Sequence, residues 1–101
     1  MKPLRDLFLG FVKLHILYHA GREPVFGLWL MEELTRHGYR LSAGTLYPIL
    51  HNLERDGLLS STSRVVEGKA RKYYQLTSAG RDALAQGRKQ AAELLRELEA
   101  E

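Results

Sequence analysis

Cysteine is absent, which excludes disulfides and thiolate metal centres. Proline occurs three times and tryptophan once, so a proline within a helical pattern carries information. No apolar run approaches the ~20 residues needed to span a bilayer. The longest near the start, Leu7–Leu17, is interrupted by Lys13 and His15. Lys2 and Arg5 precede it, but no small-residue cleavage site follows, so neither a signal peptide nor membrane association is expected and cytoplasmic residence is. The sequence shows no serine–histidine–acid arrangement and no glycine-rich phosphate loop, so neither an enzyme nor a cofactor is expected. Residues 78–101 lack aromatic side chains altogether.

What remains is an ordinary composition with an uneven charge. A chain of 101 residues that is 45% apolar and 27% charged reads as one small ordered unit near the lower size limit for a self-sufficient core. The formal net charge is +3, compatible with a polyanionic partner without diagnosing one. Acidic residues gather at the end, as Glu93, Glu97, Glu99 and Glu101, whereas Arg64–Lys72 holds Arg64, Lys69, Arg71 and Lys72 against Glu67. The basic surface is therefore expected on the middle of the chain.

Periodicity divides the chain into six elements. Residues 4–20 form a first helix, apolar over a wide arc and stopped by Gly21. An arc that wide needs cover on more than one side, and a second subunit is the expected cover. Residues 25–37 form a second helix, entered through Pro24 and ended by Gly38. It carries Phe26, Leu30, Leu34 and His37 on one side and places Trp29 with Glu32, Glu33 and Arg36 on the polar side. A third helix over residues 43–56 starts at Ser42 as N-cap and ends at Gly57. Leu46, Ile49, Leu50 and Leu53 make its narrow core stripe. Pro48 within it costs about 3 kcal/mol in a neutral context, a local penalty that marks a functional surface. Strands over 59–66 and 70–77 flank the turn Glu67-Gly68-Lys69, with Tyr74 and Leu76 on the core face. Thr77 or Ser78 caps a last helix running to about residue 99, with a seven-residue apolar repeat through Leu84, Gly87, Ala91, Leu94 and Leu98 and Leu95 beside it. The order is helix, helix, helix, strand, strand, helix: an α+β chain, mainly α, arranged as a winged helix-turn-helix. Residues 1–77 would form the winged helix and residues 78–101 a C-terminal dimerisation helix of the same compact unit.

The segment Leu41-Ser42-Ala43-Gly44-Thr45-Leu46-Tyr47-Pro48-Ile49-Leu50, followed by Leu53-Glu54-Arg55-Asp56-Gly57-Leu58-Leu59, resembles the signature of PadR-type transcriptional regulators. So does Glu67-Gly68-Lys69-Ala70-Arg71-Lys72-Tyr73-Tyr74-Gln75-Leu76-Thr77, with Gly80 three residues on. The resemblance covers essentially the whole chain and matches the shorter branch, with a single terminal helix. It implies a winged-helix homodimer that represses promoters, often its own, and that loses DNA on binding a small effector. It also implies a dimer interface between the terminal helix and the first helix. Relatives that stack flat drugs on an aromatic of the terminal helix find no counterpart here.

The candidate DNA-binding residues are Ser42, Ala43, Gly44, Thr45, Tyr47, Pro48, His51 and Asn52 on the third helix, and Arg64, Lys69, Arg71 and Lys72 on the hairpin. Small residues let a helix backbone approach the major groove, Tyr, His and Asn offer hydrogen bonds to bases or phosphates, and cations hold phosphates. Arg36 and Arg40 flank the turn before the third helix as further phosphate candidates. The candidate dimer residues are Leu7, Phe8, Phe11, Leu84, Ala91, Leu94, Leu95 and Leu98, and the candidate effector residues are Phe8, Phe11 and Trp29. Trp29 could equally be a dimer contact or cover the edge of the core. His15 and His19, four apart on one helix, have the spacing of a metal pair. A site would need further ligands and no cysteine stands near, so a packing or interface role is expected and no metal is assigned. Two alternatives stay open, a winged-helix module that binds a protein and a metal-responsive regulator. Pseudopalindromic double-stranded DNA is the expected partner.

Overall fold

In the computed structural model, which describes residues 2–100, four helices and three strands follow one another. They are α1 (Lys2–Arg22), β1 (Val25–Phe26), α2 (Gly27–Arg36), α3 (Ala43–Arg55), β2 (Leu59–Val66), β3 (Lys69–Leu76) and α4 (Ser78–Glu99). The α+β winged helix-turn-helix is as expected, with one addition. Val25 and Phe26 leave the second helix and pair antiparallel with Tyr74 and Tyr73, giving a sheet of order β1-β3-β2. Their helical assignment failed because a partner 47 to 49 residues away, visible only in the fold, outbids local periodicity. Gly21 is likewise no helix stop. It lies inside α1, where a Cβ would stand 2.9 Å from Leu76 Cδ2, so it serves close approach of α1 to the sheet.

The core joins Val12, Ile16, Leu17 and Ala20 of α1, Leu30 and Leu34 of α2, the stripe Leu46, Ile49, Leu50 and Leu53 of α3, and Val25, Leu59, Tyr74 and Leu76 of the sheet. Trp29 covers the edge of this core, one of the roles left open for it, its ring edge-on to His19 at 5.4 Å.

Helix ends set the angles between these parts. Gly38 and Gly57 take φ of +92° and +82°, the left-handed region where glycine has no steric penalty. After α2, Gly38 N donates to Thr35 O and Tyr39 N to Leu34 O; after α3, Gly57 N donates to Glu54 O and Leu58 N to Leu53 O. Both are Schellman stops, which satisfy the last carbonyls and turn the chain sharply. Glu67 and Gly68, at φ +52° and +78°, form the two-residue turn whose twist suits a hairpin. The turn sets Val66 opposite Lys69 and Leu59 opposite Leu76.

Thr77 fastens α4 to the end of α3. Its hydroxyl donates to Gly57 O at 2.6 Å and accepts from Gly80 N at 2.9 Å, while its own N–H donates to Leu58 O at 3.1 Å. The first turn of α4 thereby lies so close to Leu58 that a Cβ on Gly80 would overlap the Leu58 carbonyl oxygen. Backbone cannot yield as a side chain does. Gly80→Ala is expected to lower the unfolding free energy by about 2–3 kcal/mol in urea titration; an unchanged midpoint would contradict this account of the α3–α4 junction.

Candidate nucleic-acid interface

Helix α3 buries one stripe and turns the other outward. Ser42, Ala43, Gly44, Tyr47, Pro48, His51 and Asn52 are exposed together, as their spacing requires. Gly44 meets nothing but Ser42 Oγ, which would lie 3.7 Å from an added Cβ. The fold therefore does not require glycine there. Tyr47 leans back on α2 so closely that a Cβ on Gly27 would fall 2.5 Å from its hydroxyl, which fixes the ring while leaving it 45% exposed.

The N-terminus of α3 differs from a simple capped end. Ser42 has the extended N-cap backbone but makes no side-chain cap bond. Its hydroxyl donates instead to Thr45 Oγ1 at 3.3 Å, and Arg5 Nη2 donates to the same oxygen at 3.1 Å. The first N–H groups of a helix have no intrahelical partner and attract anions. Arg5, forty residues away in sequence and absent from the candidates, thus adds a cation beside them. Thr45, half-buried, serves as its anchor. Arg40 is exposed nearby, whereas Arg36 pairs with Glu33 at 3.0 Å.

On the wing, strand alternation sorts the candidate cations. Lys69 and Arg71 share a face with Arg64, because Arg64 pairs directly with Arg71. Lys72 lies on the other face, beside α3. Two guanidiniums directly opposite on a sheet repel one another. Aromatic rings hold both: Arg64 lies 4.6 Å from the Tyr73 ring centroid, Arg71 lies 4.3 Å from that of Phe26, and the two rings meet edge-on at 5.4 Å. Phe26 therefore belongs to the outer face of the sheet rather than to the helix side shared by Leu30 and Leu34. Lys72 approaches Glu54 of α3 at 3.5 Å. The Ser61 hydroxyl donates to Glu54 at 2.6 Å and, against the effect of burial and with help from Lys72, holds its carboxyl below the usual glutamate range. Glu54 thus stays ionised at neutral pH and ties the root of the wing to the recognition helix.

The remaining candidates separate. Leu7, Phe11, Ala91 and Leu94 line one shallow α1–α4 groove of about 570 Å³. Leu95 and Leu98 lie exposed further along α4, and Leu84 is half-buried against the chain's own core. Phe8, Phe11 and Trp29 line separate cavities among the described residues. Phe8 lines one of about 530 Å³ beside Arg5, Tyr39 and Thr45, Phe11 another of about 370 Å³, and Trp29 a third of about 220 Å³. His15 and His19 face His37.

Three helices, a wing with paired cations and a sterically open recognition helix with Arg5 at its start define a winged helix-turn-helix protein built to meet DNA. Residues 16–86 match the transcriptional regulator PadR-like family, and the chain belongs to that family of DNA-binding transcriptional regulators, which are not enzymes. It is 55% identical over 95 residues to the transcriptional regulator Rv3488 of Mycobacterium tuberculosis, covering 94% of this chain and 89% of that one. A PadR-family regulator from Eggerthella lenta is 33% identical, with TM-score 0.82 over 96% of this chain and 86% of its own. A PadR-like regulator from Bacillus cereus is 27% identical, with TM-score 0.85 over 92% of each chain. No helix among the described residues is long and apolar enough to cross a membrane.

Gly44→Ala separates folding from binding. Alanine is the better helix former, so stability should rise by about 0.5–1 kcal/mol in urea titration, while the added methyl holds the helix away from DNA and weakens binding about tenfold, since about 1.4 kcal/mol is tenfold. Equal DNA affinity of both proteins in a fluorescence-anisotropy titration would remove Gly44 from the interface.

Proposed function

We propose that the chain represses transcription as a cytoplasmic homodimer on a pseudopalindromic operator. The observation that carries this reading is the open first half of α3, with Gly44 unneeded by the fold and Arg5 beside it, together with the Arg64–Arg71 pair on the wing. In it, Ala43, Gly44, Pro48, His51 and Asn52 enter the major groove. Ser42 and the α3 N-terminus take a phosphate, Tyr47 a base edge or phosphate, and Lys69, Arg64, Arg71 and Lys72 the flanking backbone.

The dimer is supported by apolar residues left in water. Leu7, Phe8 and Phe11 of α1 and Leu94, Leu95 and Leu98 of α4 are between 40% and 62% exposed, more than a small monomer ordinarily leaves on one side. Residues 78–101 then act as the dimerisation element around the winged helix of residues 1–77. A two-fold axis would set two copies of α3 about 34–36 Å apart, one turn of DNA. An effector is supported by the cavity of about 530 Å³ between α1 and the start of α3. A small apolar molecule against Phe8 there would disturb the Arg5–Thr45 contact.

Selection of duplexes from a random pool, followed by anisotropy titration, tests this. Lys69→Ala should weaken binding to all duplexes and reduce the salt slope by about 1, whereas His51→Ala should change the preference between bases by about 1–3 kcal/mol at one position of each half-site. Identical effects on selected and random duplexes would contradict the division of labour, and no enrichment in the pool would contradict specific binding. Leu94→Glu should convert a dimer to a monomer in analytical ultracentrifugation; a monomeric wild-type chain would contradict the proposed assembly.

A further inference from the structure

Three of the chain's four histidines meet at one place. His15 and His19 stand one turn apart on α1, and His37, the C-cap of α2, closes on them. A ring nitrogen from each lies within 4.8 Å of those of the other two. The centroids are 4.8 Å apart for His15 and His37 and 6.2 Å apart for His19 and His37.

Glu33 joins them one turn before His37. Its Oε2 lies 3.0 Å from His37 Nε2 and 3.6 Å from His19 Nε2. Atoms bound 2.0–2.1 Å from a tetrahedral ion stand about 3.4 Å from one another, so both spacings suit neighbouring ligands. The second carboxylate oxygen accepts from Arg36 at 3.0 Å, the kind of outer contact that orients a metal ligand.

One further observation points to a ligand. His19 Nε2 is buried and has no hydrogen-bond partner, and a buried polar atom so placed calls for a reason. Glu33, at 3.6 Å, lies beyond its hydrogen-bond reach. Access is through the cavity of about 370 Å³ lined by Phe11, Leu14 and Tyr18 together with the three histidines.

We propose that His15, His19, His37 and Glu33 form a binding site for one divalent transition-metal ion of the zinc class, joining α1 to the C-terminal end of α2. Imidazole nitrogens with one carboxylate and no sulfur suit zinc, nickel or cobalt rather than calcium or magnesium. An ion at this point ties the first helix of the helix-turn-helix to α1, just before the turn that aims α3. The site would thereby bias DNA binding, a consequence that rests on the reading of α3 as the DNA-binding helix.

The test uses the full chain without a polyhistidine tag, dialysed against chelator and titrated with zinc sulfate by calorimetry and with cobalt(II) chloride by visible absorption. One ion per chain is expected, with the intense absorption of four-coordinate cobalt. His37→Ala, at an exposed side chain, and His19→Gln should each weaken zinc by at least about tenfold, with circular dichroism confirming that each variant is folded. Absence of saturable binding, or retention of zinc by a folded His19→Gln/His37→Ala double variant, overturns the site. Anisotropy titration on a selected duplex with and without zinc reads the coupling, expected as a change of about fivefold or more that His37→Ala abolishes. No change with zinc bound overturns the coupling but not the site. Loss of DNA binding in both states, with zinc still bound stoichiometrically, faults the DNA reading instead.

Discussion

Four apolar side chains, Leu46, Ile49, Leu50 and Leu53, constrain everything that α3 shows to solvent. Buried against α1, α2 and the sheet, they fix the rotation of the helix about its axis, so that Gly44, Pro48, His51 and Asn52 have only the outward direction left. Burying a side chain of this kind contributes roughly 1.5–3 kcal/mol, so the four together outweigh the penalty of any one awkward residue on the opposite face. The core can therefore carry a recognition helix that holds a proline and an unneeded glycine. The two Schellman stops and the Thr77 bridge then fix how that helix meets the turn before it, the wing and α4.

The same constraint sets the electrostatics. Because α3 is held in place, Arg5 can reach Thr45 from α1, and Glu54 can reach Ser61 and Lys72 on the wing. The cations thus stand on parts fixed relative to the helix, though each exposed pair alone is worth little. The Arg64–Arg71 pair, held over Tyr73 and Phe26, is the clearest local conflict on the surface. Conflicts of that kind gather where a chain meets its partner.

Much of this was legible because it is local. The apolar stripe of α3, the glycines after α2 and α3, the hairpin turn and the Thr77 cap each announce themselves within a few residues, and the outward face of α3 follows from helical period alone. What stayed hidden depends on residues far apart in sequence. Val25 and Phe26 are a strand only because β3 lies beside them, and after Pro24 their local pattern reads as the start of a helix. Gly21 reads as a stop until Leu76 is seen against it. No spacing links Arg5 to Thr45, or His37 to His15 and His19. The role of Trp29 stayed open between effector, dimer and core edge because a helical wheel shows which face a residue is on and not that a neighbouring helix covers that face.

Amide hydrogen exchange of the chain with and without a selected duplex tests the central claim most directly. The first amides of α3 lack intrahelical partners, whereas those of Thr45 and Leu46 donate to Ser42 O, so cover by DNA is read most easily at Ala43 and Gly44. The account predicts that DNA slows exchange at residues 42–47 and across the wing around residues 64–72, and leaves residues 84–98 of α4 unchanged. Protection confined to α4 or to the exposed face of α1, with the start of α3 still exchanging freely, would contradict it.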